Sequence, residues 1–68
     1  MSRYDYEASQ RISREDWPFY ALIMAAMRQA DTDNLEGLKL VFPMVWKELY
    51  ERYNAPGGIL PSDTQKGG

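Results

Sequence analysis

Residues 17–27 read Trp-Pro-Phe-Tyr-Ala-Leu-Ile-Met-Ala-Ala-Met, an unbroken apolar run of eleven in a chain of 68. A helix that is apolar on every side is normally buried on every side. A domain of this size hides only about 60% of the surface its unfolded chain exposes, so little else is available to cover such a rod. The run is too short to cross a bilayer, which takes about 20 apolar residues. It also starts late for a secretory leader and follows Glu15 and Asp16, where a leader carries positive charge. The chain opens Met1-Ser2 rather than Met-Gly and has no cysteine to prenylate, so the expected place is the cytoplasm, with no membrane partner.

Local signals divide the chain into three parts. Residues 1–12 are polar, with Tyr4, Ala8 and Ile12 four apart, and are expected to form a loose arm or a short helix. Residues 13–54 carry the helical domain. Two start signals compete at its head: Ser13 with Asp16 resembles a capping box, while Asp16 could itself cap a helix with Trp17 and Pro18 in the first turn. Pro18 favours the second, because a proline costs nothing near a helix start but removes a hydrogen bond and clashes further in. The spacing predicts a helix over residues 17–30.

Asp31-Thr32-Asp33-Asn34 is dense in turn and capping residues, and Asp33 with Glu36 three later predicts a second helix start closing a tight helical hairpin. Leu35, Leu38, Val41, Phe42, Val45, Trp46, Leu49, Tyr50 and Tyr53 then form one apolar stripe that stays in phase across Pro43. Pro43 predicts a kink or a fresh helix start there, and Asn54 a stop. Glu48 and Arg52 stand four apart in the favourable order. Residues 55–68 are rich in Pro and Gly and are expected to be extended, with disorder from Pro61 onward. The fold class expected is all-α: a small helical hairpin or three-helix arrangement, kinked at Pro43, that forms a bundle on self-association.

The composition removes most chemistry. With no Cys and no His, disulfides, thiolate and imidazole metal sites and the common nucleophile–base pairs have no residues to use. The paired acids Glu15/Asp16 and Asp31/Asp33 suit helix ends better than acid–base work, which needs a pocket to shift them apart. A calcium loop starting at Asp31 fails, because Glu36 takes the required glycine position and Phe42 the closing glutamate. Gly57-Gly58 lacks the lysine of a phosphate loop. No catalytic residue, cofactor, metal or small-molecule substrate is therefore expected. Nor is nucleic acid, because a net charge of −2 spread along the chain makes no basic field.

What remains is surface. The circumference of the 17–27 run predicts that a second copy, or a different protein, covers at least one face, and symmetric homodimers are the commoner solution. The residues expected at that interface are Trp17, Phe19, Tyr20, Ile23, Met24 and Met27, with Trp46 and Tyr50 from the second helix. For Met24, Met27 and Met44 core filling is favoured over a binding face, and Trp46 fits the stripe as core. Tyr4 and Tyr6 are open candidates for partner anchors.

Over residues 15–60, about two thirds of the chain, several motifs stand together: Pro18-Phe19-Tyr20-Ala21-Leu22-Ile23, Ala30-Asp31-Thr32-Asp33-Asn34, Phe42-Pro43 and Asn54-Ala55-Pro56-Gly57-Gly58. In these the chain resembles a family of short proteins encoded by bacteriophages and prophages. The resemblance implies a phage context. Many small acidic phage proteins without catalytic residues bind and block a host enzyme or defence complex, anti-CRISPR proteins among them. The implied function is a non-enzymatic accessory protein that binds a host protein; the alternative is a structural or assembly role among phage proteins.

Overall fold

Ser2 sets the first helix. In the computed structural model, which describes residues 1–65, the Ser2 hydroxyl accepts from the Asp5 N–H at 3.2 Å and the Asp5 carboxylate accepts from the Ser2 N–H at 3.1 Å. This reciprocal cap opens α1, Arg3–Arg14. The helix runs two residues past the expected boundary at residue 12. The Ser13–Asp16 capping box does not form, because the Ser13 hydroxyl donates to the Gln10 carbonyl instead, at 2.9 Å. Glu15 closes the helix and Asp16 turns the chain at φ 59°. A left-handed backbone is one that aspartate tolerates and glycine adopts freely. Asp16→Gly is therefore expected to raise stability by about 0.5–1 kcal/mol, read from the urea midpoint; a drop would show that the Asp16 side chain contributes more than its backbone strain costs.

α2, Phe19–Gln29, starts two residues later than expected, with Pro18 rather than Asp16 in the capping position. Pro18 is held extended at ψ 142°, and its carbonyl accepts the Leu22 N–H at 3.1 Å. Only Ala30 and Asp31 separate α2 from α3, Thr32–Val41. Asp31, not Asp33, is the cap: its carboxylate accepts from the Asn34 N–H at 2.9 Å, which leaves Asp33 in the first turn to favour the helix dipole. The expected restart at Pro43 is present. Phe42 sits at φ −125°, ψ 61° between the helices, its N–H still bonded to the Leu38 carbonyl, and Pro43 opens α4, Pro43–Tyr53. Asn54 ends α4 as expected.

The segment expected to be extended is folded instead. Pro56–Gly58 form a 3-10 turn, in which Gly57 (φ 63°) and Gly58 (φ 69°) adopt the left-handed backbone that glycine permits. Pro61–Gln65 form a short helix, α5. Residues 66–68, to which the expected disorder also extends, lie outside the described residues.

The described chain is all helical, with no strand. α4 is the hub: α2, α3 and the 3-10 turn each pack on it. The expected three-helix arrangement kinked at Pro43 is present: α3 turns back beside α2, with Ala26 and Gln29 sharing a hollow with Asp33, Gly37 and Leu38, and both helices pack more closely on α4. The Phe19 and Phe42 rings meet edge to face at 6.1 Å, and Met27 lies beside Leu49 further along, so α2 and α4 run in the same direction and α3 is the return limb. Among the described residues only Met27 and Leu49 are buried, at 3% and 7% exposure. α1 packs along none of the other helices; its last turn alone comes beside α2, where Ile12 and Glu15 meet Trp17, Ala21 and Leu22. The radius of gyration is 14.5 Å, where about 11 Å is usual for this length.

Candidate protein-docking surface

The start of α2 presents its aromatic side chains outward. Trp17, Phe19 and Tyr20 keep 58%, 58% and 59% of their surfaces exposed. Phe19 and Tyr20 are held against each other, ring centroids 5.3 Å apart, and Phe19 is braced from behind by Phe42. The Trp17 indole N–H donates to the Glu15 carboxylate at 3.0 Å. These rings are therefore exposed but positioned, which lowers the ordering cost of using them as anchors. Beside them Tyr20, Met24, Met44, Val45 and Glu48 enclose a shallow hollow of about 230 Å³ along the seam between α2 and α4.

A second concavity of about 520 Å³ lies at the other end of that seam, lined chiefly by Met27, Leu35, Trp46, Leu49, Tyr50 and Tyr53, with Arg28 and Asn54 also in its wall. Trp46 is fixed there by the Lys39 ammonium, 5.0 Å from the ring centroid, and by the Tyr50 ring at 6.0 Å. Lys39 is steadied in turn by Glu36 at 3.1 Å.

The residues expected at an interface divide by place. Trp17, Phe19, Tyr20 and Tyr50 are exposed; Ile23, Met24 and Trp46 are half-buried along the seam. Met27 is buried against α4, in the inner wall of the second concavity. Tyr4 and Tyr6 are both exposed on α1. Sequence reasoning missed Leu40, which is 83% exposed; Met44 and Tyr53, read as core and stripe residues, are 69% and 78% exposed. Tyr53 lies on the apolar stripe and Met44 beside it, but Leu40 stands off the stripe and carried no signal of its own between Lys39 and Val41.

The C-terminal segment is fastened by one side chain. Arg52 donates to the Glu48 carboxylate at 3.3 Å, as the spacing predicts, and also to the Gly58 carbonyl at 2.8 Å and to both Asp63 oxygens at 2.6 and 2.9 Å. The Asp63 hydrogen bond, more than that of Glu48, holds the guanidinium further above its already high ordinary value. Its charge is fixed throughout the accessible pH range, so the raised value adds no pH dependence there. Asp63 also accepts the Leu60 N–H at 3.0 Å. Arg52→Ala is expected to leave α4 protected while the amides of Leu60 and Asp63 exchange with solvent at unprotected rates; continued protection of both would show that the segment holds itself.

Among the described residues no three of Asp, Glu, His or Cys converge as a metal site, and no helix is long and apolar enough to cross a membrane. Asp31 is occupied as a helix cap and Glu15 by Trp17. The fold and surface thus define a small all-helical chain built around α4, with Trp17, Phe19 and Tyr20 facing outward. No known protein family matches the sequence, and neither a curated protein nor a solved structure was found similar to it.

Proposed function

We propose that this protein acts by binding another protein and performs no chemistry of its own, as a phage-type accessory protein whose target is a host defence or nucleic-acid-processing complex. The observation that carries the binding part is the trio Trp17, Phe19 and Tyr20, exposed yet braced on a fixed helix start beside an apolar hollow. Aromatic side chains set next to a pocket are what protein interfaces use as anchors. The phage context rests on the sequence motifs that resemble phage-encoded proteins, and it puts the site of action in the host cytoplasm.

The outline of the chain, 47 × 27 × 19 Å with α1 outside the packed helices, favours a second reading, a structural or assembly role among phage proteins. A tagged pull-down from lysate of infected host cells separates the two. Stoichiometric capture of one host protein supports inhibition, capture of phage proteins alone supports assembly, and capture of neither sinks both. A turnover that is lost in Glu15→Gln or Asp33→Asn, with helicity intact, would replace both by an enzyme.

A further inference from the structure

We infer that α1 of one copy docks in the Met27–Trp46–Tyr53 groove of a second copy, and that the exchange is reciprocal. This goes beyond the proposed function, which uses the opposite end of the α2–α4 seam, and does not depend on it.

α1 is supported within its own chain only at its last turn, where Ile12 and Glu15 come beside α2. Isolated helices of fewer than about 12–15 residues are marginal in water, and α1 has 12, packed along no other element. Its Ser2–Asp5 cap steadies one end only. Tyr4, Ala8 and Ile12 line one side of it, with Tyr4 71% and Ile12 45% exposed. That stripe spans about 12 Å at the helical rise, and the groove from Trp46 to Tyr53 spans about 10 Å.

Area and charge both favour a second copy as the occupant. The chain exposes 5938 Å², against roughly 4,400 Å² for a compact monomer of 7.9 kDa. The excess, about 1,500 Å² per chain, exceeds the roughly 800 Å² each partner contributes to an interface of standard size. Residues 1–14 carry three arginines against Asp5 and Glu7, a balance of +1, whereas residues 15–68 carry five Lys and Arg against eight Asp and Glu, a balance of −3. The opposite net charges of arm and body steer two copies together, while the groove itself is apolar with Arg28 in its wall, so apolar contact carries the docking. Because both halves belong to one sequence, each copy supplies the other's missing half.

The chain has no native cysteine, so cross-linking can test the contact directly. Ala8→Cys is made in one preparation and Tyr50→Cys in another; the two are mixed and oxidised, and mass is followed by light scattering across a dilution series. The expected result is a mass near twice 7.9 kDa, with disulfides forming in the mixture well above either variant alone. No chain holds both cysteines, so a mixed disulfide cannot arise within one copy. Ile12→Asp should return the chain to a monomer, raising the dissociation constant at least about 30-fold, the scale of an interface hot spot. A folded monomer at every concentration overturns the inference, as does a dimer that cross-links only Ala8→Cys to itself or not at all. A monomer that still captures a host protein would overturn this inference and leave the proposed function standing.

Discussion

Leu49→Asp is expected to abolish the fold: far-UV helicity should fall to that of the urea-unfolded chain at 25 °C. Leu49 is, with Met27, one of the two buried residues among those described and sits where α4 receives Met27 of α2. A chain of 68 residues has about 3–10 kcal/mol of stability in all. Truncating a buried leucine costs about 2–5 kcal/mol, and leaving an unpaired carboxylate in its place costs several more. The sum exceeds what the chain has. Leu40→Asp is the control: its side chain is exposed on α3, so the change should move stability by no more than about 0.5 kcal/mol. Cooperative melting of Leu49→Asp, or equal damage from both variants, would mean that the α2–α4 seam is not what holds the helices together.

The helical elements were legible because their signals are local. Pro43 could only start a helix or break one, Asn54 could stop one, and the stripe from Leu35 to Tyr53 kept the 3.6-residue period across the joint. Start positions were less legible wherever two caps competed. Asp31 and Asp33 are chemically equivalent, and the choice fell on Asp31 because α2 ends immediately before it, leaving no room for a longer link. Asp16 looked like a cap, yet α1 had already used the preceding residues and left it to make a left-handed turn. The Ser2–Asp5 box has the same Ser-x-x-Asp spacing as Ser13–Asp16, but it was overlooked because the polar stretch behind it is short for a helix that stands alone.

Contacts between distant residues were the part the sequence hid. No spacing rule links Arg52 with Asp63, eleven residues apart across a Pro-Gly-Gly turn, and composition alone made that stretch look extended. The order of packing was hidden for a related reason: a short link says that two helices are consecutive, not how closely they pack. Here α2 and α3 both found more apolar surface on α4 than on each other. The surplus of apolar circumference on α2 was legible, because it is a count of residue types around a rod. Which residues occupy the inner side was not. Met27 took the core position, while Trp17, Phe19 and Tyr20 were left outside because α4 begins opposite the Phe19 ring and has no earlier turn to cover them.

That placement makes Tyr20→Asp the sharpest probe of the binding surface, since its effects on folding and on binding should differ in kind. Tyr20 lies in the first turn of α2, where the structure has neither an acidic residue nor a side-chain cap. A carboxylate there meets unsatisfied N–H groups and the positive end of the helix dipole, a gain of about 0.3–1 kcal/mol. That gain offsets the lost edge contact with Phe19, so the urea midpoint should stay within about 0.5 kcal/mol of the parent. Binding has no such compensation. Replacing an aromatic anchor by a charge should cost at least about 2 kcal/mol, which is roughly 30-fold in the dissociation constant of whatever protein the parent captures. Titration of that protein against both forms, alongside urea melts, gives the two numbers independently. Unchanged affinity with an intact fold would mean that the α2 aromatics face water for no partner's sake, and the proposed docking surface would have to be abandoned.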